Sequence, residues 1–359
     1  MKIFKTTALS ILVLFFASWF YKIIALMLLA VVWRDKLRTL GKWGYKGTML
    51  FLALSLIMVL PRYGYNNNDR VRLIYQDKNG NPTTPPLTHY LFNVFFPEEE
   101  ICNMGITGAI LVPRLGYLNG RMLNDFKRDV LKGRIINFYK PYNRLNWSRT
   151  FAMSGVVSQM ANMFGSQFGI EGTRSVYVIE PKDYDKNKTY PVVFFMHGYL
   201  GNWKLYTGVL KDLKNCIIVC VGTKDLSGIF NTSDITFHLN RQIPFLRKLG
   251  YKIDDNNLHL IGLSNGGTAC NSAYNSFSNK FKSITYISTG ISQTYPIKSK
   301  VLLIGGGKDL SSGTMQGAYK KLKANGVKTE LFWAKDEGHF VLVNKRKEIV
   351  DFLNKNLPF

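Results

Sequence analysis

Three hydrophobic patterns divide the chain. Between residues 6 and 33 nearly every position is apolar, and Lys22 carries the one charge. A membrane-spanning helix needs about 20 such residues, so this stretch predicts one crossing helix with some tilt. A second apolar run covers residues 48–60. It is about 20 Å long if helical, so it crosses only if Trp43 and Tyr45 anchor at the interface and Lys42 and Lys46 snorkel. Otherwise it is re-entrant or interfacial. A cleaved signal peptide is the competing reading of the start. The apolar stretch runs past Ala17 and Ser18 with no small-x-small site after it, which favours retention in the membrane.

The middle of the chain, 62–171, has a weaker pattern. Residues 71–75 read as a short strand, and 79–86 are rich in turn residues. Helical spacing predicts an amphipathic helix over 121–136 and an apolar one over 151–164. We expect an α+β extension of unclear fold here, its Met and aromatic side chains forming core, with a lid or membrane-docking region as the alternative.

From residue 172 onward the pattern is regular. Short apolar runs at 175–179, 191–196, 216–221, 258–261, 284–288, 301–304 and 328–333 predict strands. Helical spacing recurs at 203–213, 236–249, 265–278, 313–325 and 341–356. Buried strands alternating with helices imply a mostly parallel central sheet with helices on both faces. The expected organisation is therefore a membrane-anchoring part over 1–61, the extension over 62–171 and an α/β domain over 172–359.

Charge changes this picture little. The chain has 47 Lys and Arg against 23 Asp and Glu, a formal net charge of +24. The excess is spread over all three parts, without the clustering or motif that nucleic-acid binding requires. Such a surface suits anionic partners, lipid headgroups included. Residues 34–46 hold Arg34, Lys36, Arg38, Lys42 and Lys46 against Asp35 alone. The positive-inside rule keeps that connection cytoplasmic. The α/β domain is then extracytoplasmic if both apolar segments cross, and cytoplasmic if only the first does. The four cysteines, at 102, 216, 220 and 270, have no zinc spacing. Cys216 and Cys220 in one strand lie roughly 13 Å apart, too far to bridge, so buried thiols are expected.

The chemistry concentrates after residue 190. Gly262-Leu263-Ser264-Asn265-Gly266-Gly267 follows an apolar strand and opens a helix, the context in which G-x-S-x-G presents a nucleophile. Gly262 and Gly266 leave room where the turn is crowded. A serine needs a base, and one histidine, His339, follows Ser264 in the chain. Asp309, just past strand 301–304, is placed to orient that imidazole, with Asp336 and Glu337 as rival acids. Gly198 and Tyr199 follow the strand ending at Met196. The N–H groups of Tyr199 and Asn265 are the candidate oxyanion donors. His197 reads as a brace for that loop, and His89, His238 and His259 as ordinary core or surface residues.

With His197-Gly198, Gly262-x-Ser264-x-Gly266, Asp309 and His339 in this order, residues 172–359 resemble the α/β-hydrolase family. The wording of 190–198 and 262–267 is similar to its esterase branch, which includes polyhydroxybutyrate-depolymerase-like and feruloyl-esterase-like proteins. The resemblance implies a Ser264-His339-Asp309 triad and two-step acyl transfer. It implies no metal and no organic cofactor. The expected activity is a membrane-anchored carboxylic ester hydrolase acting on a small-molecule or lipid-like ester. A serine peptidase or acyltransferase shares the same triad. A catalytically silent hydrolase-fold scaffold is the alternative from another class.

Overall fold

The computed structural model describes residues 2–15, 19–41, 43–58, 70–77, 79–83, 174–198, 210–221, 230, 236, 238–277, 279–291 and 298–359. The expected helices at 121–136 and 151–164, and most of 203–213, lie outside the described residues.

The N-terminal apolar stretch is a helical hairpin, where the sequence predicted one crossing helix. Helix α1 covers Lys2–Phe15 and α2 covers Trp19–Val32. Trp33 Nε1, past the end of α2, donates a hydrogen bond of 3.0 Å to Thr6 Oγ1 near the start of α1. The two helices must therefore run back beside each other. A short helix, α3 (Arg34–Thr39), leads to α4 (Gly44–Met58). Ile23 and Ala30 of α2 and Leu52 of α4 form a small buried cluster. Each long helix spans only about 21–23 Å at 1.5 Å per residue, against about 30 Å for the hydrocarbon of a bilayer. Among the described residues, no helix is long and apolar enough to cross a membrane. The transmembrane expectation thus finds no crossing element here, because the apolar run folds back on itself.

The rest of the described chain forms one nine-stranded sheet. Its strands are β1 (Val71–Gln76), β2 (Pro82–Thr83), β3 (Arg174–Ile179), β4 (Tyr190–Met196), β5 (Ile217–Val221), β6 (Ile253–Leu263), β7 (Phe281–Ile287), β8 (Lys300–Gly306) and β9 (Thr329–Ala334). The order is β2-β1-β3-β5-β4-β6-β7-β8-β9. The pairs from β5 through β9 are parallel, and those made by β1, β2 and β3 are antiparallel. The short strand at 71–75 thus exists, and it extends the same sheet as the strands after 172. Arg72 and the Tyr251 hydroxyl meet the buried Glu180 at 3.1 and 2.7 Å, tying that antiparallel edge to the chain entering β6.

Helices cover the parallel part: α5 (Ile243–Lys248, entered through a π-helical turn, His238–Gln242), α6 (Asn265–Phe277), α7 (Ser312–Ala324), α8 (Val341–Asn344) and α9 (Arg346–Asn356). The expected helix over 341–356 is broken at Lys345 into α8 and α9. Strand side chains alternate between two cores, as a two-residue repeat requires. Val192, Phe194 and Met196 share one core with α5, α6 and α7, including Phe245, Ala269 and Leu322. Val193 and Phe195 share the other with Leu342, Ile349 and Leu353 of α8 and α9. Both faces being covered explains why these strands read as unbroken apolar runs.

Candidate active site

Ser264 stands between the end of β6 and the start of α6, at φ +52°. Left-handed backbone costs a non-glycine residue roughly 1–2 kcal/mol, so the surroundings must enforce it. Two backbone bonds do so: Ser264 N–H donates to the Ile287 carbonyl at 2.8 Å, and Gly267 N–H donates to the Ser264 carbonyl at 2.9 Å. The turn is also crowded. A Cβ on Gly262 would lie 2.6 Å from Cys270 Sγ, and one on Gly266 would lie 2.8 Å from the His197 carbonyl and nearer still to that of Met196. Gly198 is less confined, since a Cβ there would meet Ser264 Cβ at 3.4 Å, ordinary contact.

Asp309 and His339 come from loops beyond β8 and β9. Asp309 N–H donates to the Gly306 carbonyl at 3.1 Å and Gly307 N–H to that of Ala334 at 2.9 Å. Lys308 N–H reaches the Glu337 carbonyl at 2.9 Å. These bonds lace the two loops together at the carboxyl ends of adjacent parallel strands, where open α/β sheets place their sites. His339 Nδ1 lies 3.1 and 3.3 Å from the two Asp309 carboxylate oxygens, and its Nε2 lies 3.1 Å from Ser264 Oγ. A carboxylate only accepts, so Nδ1 carries the proton and Nε2 accepts from the serine hydroxyl.

Asp309 is 2% exposed. Burial pushes its carboxyl upward, but the hydrogen bond and charge of His339 and the Ser311 amide outweigh this and hold it below the usual aspartate value. It is therefore an ionised group in a dry place, facing the imidazole. The rival acids point elsewhere: Asp336 pairs with Lys308 at 3.6 Å, and Glu337 accepts from Asn344 Nδ2 at 2.8 Å.

The other expected residues fall as follows. His197 is fully buried at the end of β4, donates from Nδ1 to the Gly198 carbonyl at 2.7 Å and packs on Phe230. That is the bracing role the sequence suggested. Burial pulls its pKa down to about 4, so it stays neutral at ordinary pH. His259 is a core residue held by Ser283 and Asn257, and His238 is buried too. Asn265 opens α6 directly after Ser264, at the positive end of the helix. Tyr199 and His89 lie outside the described residues. Cys216, Cys220 and Cys270 are free, buried thiols whose pKa burial raises. Cys102 is outside the described residues.

One residue at the site escaped the sequence reading. Ser288, at φ +49° past the end of β7, donates from Oγ to the His339 carbonyl at 2.8 Å and from N–H to the Ile304 carbonyl at 2.9 Å. It pins the histidine's own backbone. A serine after a strand looks like any turn residue, so nothing in the sequence marked it.

No protein-family model matches the chain, and no match to a curated protein is found. Similar solved structures include a thermostable esterase (19% identity, TM-score 0.40), the acylaminoacyl peptidase of Pyrococcus horikoshii (17%, 0.41) and a ferulic acid esterase (18%, 0.42). The matches cover 50, 52 and 53% of this chain. They span 58% of the first structure, 40% of the second and 92% of the third.

Proposed function

We propose that the chain is a serine hydrolase of the α/β-hydrolase type, cleaving carboxylic esters through Ser264, His339 and Asp309. The observation that carries this reading is the unbroken chain of contacts from Ser264 Oγ through both His339 nitrogens to Asp309, at 3.1 Å on each side. Ser264 Oγ attacks the acyl carbonyl carbon while His339 Nε2 takes the hydroxyl proton. Asp309 holds Nδ1–H, fixes the tautomer and stabilises the imidazolium. The carbonyl oxygen becomes an oxyanion, faced by the N–H groups of Asn265 and Tyr199 in this proposal. When the tetrahedral intermediate collapses, the C–O bond to the alcohol breaks, and His339 Nε2–H gives that oxygen its proton. Water then attacks the acyl-Ser264 ester, losing a proton to His339 as it does so. Collapse returns the proton to Ser264 Oγ and releases the acid.

Reaction with a fluorophosphonate probe tests this directly, on the full chain and its Ser264→Ala variant. Labelling of the wild type, lost in the variant, together with turnover of short-chain p-nitrophenyl esters, is the expected result. No labelling of folded wild-type protein would count against an activated serine and return the molecule to a silent scaffold. Turnover of acyl-amides in preference to esters would move the assignment to a peptidase.

A further inference from the structure

We propose that Ser288 is a positioning residue for catalysis, its hydroxyl setting the reach of His339 toward Ser264. This rests on the triad reading and adds a fourth side chain to it. Three observations carry it.

The first is how the end of β7 joins the site. The Ile287 carbonyl accepts the Ser264 N–H at 2.8 Å, and the next residue donates twice. Ser288 N–H goes to the Ile304 carbonyl of β8 at 2.9 Å, and Ser288 Oγ goes to the His339 carbonyl at 2.8 Å. Two consecutive residues thus tie together the nucleophile turn, the strand that leads to Asp309, and the histidine. The sheet order makes this possible, since β7 lies between β6 and β8.

The second is that His339 needs a pin. Gly338 precedes it, and glycine restrains the backbone least. The bonds lacing the histidine loop to the acid loop reach Glu337, two residues short of His339. The Ser288 bond reaches past the glycine to the carbonyl attached to the Cα that carries the imidazole. The relay has little slack: Nε2 to Ser264 Oγ and Nδ1 to Asp309 Oδ2 are both 3.1 Å, toward the long end of the hydrogen-bonding range. A displacement of about 1 Å at a reacting group can cost about 10²-fold in rate.

The third is strain. Ser288 takes φ +49°, a backbone that glycine adopts freely and other residues adopt at a cost. Among the described residues, the other non-glycine positions with positive φ are Asn215 and Ser264. Asparagine tolerates this region. The two serines are the pair joined through Ile287, and one of them is the nucleophile. A serine in place of a glycine adds strain and one hydroxyl, and that hydroxyl goes to His339. Strain kept at such a place points to function.

The test measures ester turnover and the rate of fluorophosphonate labelling in the full chain, with melting temperature as the check on folding. Ser288→Gly removes the hydroxyl and relieves the strain, so it should melt within about 4 °C of wild type. Ser288→Ala removes the hydroxyl and keeps the strain. Both should lower kcat and the labelling rate by about tenfold, with KM within about twofold. In a His339→Ala background, adding Ser288→Gly should change the residual labelling rate by less than about twofold, because the imidazole it acts through is gone. A lower melting temperature with unchanged kcat would make Ser288 structural only and overturn the proposal. So would a loss of equal size with and without the His339 side chain. Wild-type protein that the probe does not label would remove the triad reading first, and this inference with it.

Discussion

The parallel sheet and the N-terminal helices use the same apolar residues in opposite ways. In the sheet, Val192, Val193, Phe195, Leu260 and Leu302 are fully buried, and both faces are closed by helices. In the helical unit, Ile23, Ala25, Ala30 and Leu52 are the buried apolar residues among those described, and the larger side chains face out. Burying apolar area contributes about 25 cal/mol per Å², whatever medium removes it from water. The sheet gains that term by folding. The helical unit gains part of it from its small cluster of Ile23, Ala30 and Leu52, while its exposed side chains gain nothing from the described chain. Composition alone hides this difference, and the placement of side chains reveals it.

The sharpest way to separate the two regions is to remove function from one without touching the other. Ser264→Ala and Asp309→Asn should each lower ester turnover by about 10⁴-fold or more, the scale seen when members of such triads are removed. Glu337→Gln should leave turnover within a few-fold, since that carboxylate contacts Asn344 and not His339. Turnover assays on matched, folded preparations check this. Equal losses in Asp309→Asn and Glu337→Gln would break the assigned triad.

Truncating one phenylalanine in each region is the next contrast. Phe195→Ala opens a cavity in a core where the side chain is 0% exposed, and should cost about 3–5 kcal/mol of unfolding free energy. Phe51→Ala removes a side chain that is 69% exposed, and should stay within about 0.5 kcal/mol. Denaturant midpoints with unchanged slopes decide this. A large cost at Phe51 would mean that the helical unit already has a covered face. At the elbow, Gly266→Ala forces a methyl group onto the carbonyls of Met196 and His197 and should cost about 1–3 kcal/mol. Gly198→Ala meets ordinary contact and should melt near the wild type.

The same contrast governs what the sequence made legible. The parallel strands were readable because both their faces are buried, which leaves uninterrupted apolar runs such as 301–304 between polar turns. Ser264, Asp309 and His339 were readable because each directly follows such a run or lies in the loop behind it. What separates Asp309 from Asp336 and Glu337 is contact: its carboxylate faces His339, while the other two pair with Lys308 and Asn344, which sequence proximity to His339 could not foretell. The N-terminal stretch misled for the opposite reason. Hydropathy reports how apolar residues 6–33 are, not that the chain turns back within them. The turn shows itself in one side-chain bond, between Trp33 and Thr6, 27 residues apart. Ser288 was invisible because its role depends on a left-handed backbone at a strand end, which no local pattern announces.

The smallest expected effect tests the burial of the sheet through its histidines. Burial, with the positive charge of Lys282 beside it, pulls the His259 pKa down to about 3, and burial pulls that of His197 to about 4. An unfolded chain protonates each imidazole near pH 6.5. Below that pH the unfolded state binds protons that the folded state refuses. Stability then falls as pH drops, by about 1.4 kcal/mol per unit for each histidine, until the folded imidazoles themselves charge. The neutral form is built in at His259: Asn257 Oδ1 can only accept, so Nε2 donates at 2.8 Å, and Nδ1 accepts from the Ser283 hydroxyl at 2.7 Å. A second proton would turn that hydroxyl from donor to acceptor and leave a charge in a site with 0% exposure. His259→Gln keeps a polar group but cannot titrate. It should be less stable than wild type at pH 8, and the gap should narrow by about 2 kcal/mol by pH 5. Denaturant titrations at both pH values measure that narrowing. Parallel pH profiles for the two proteins would show that His259 is not held neutral in the folded sheet.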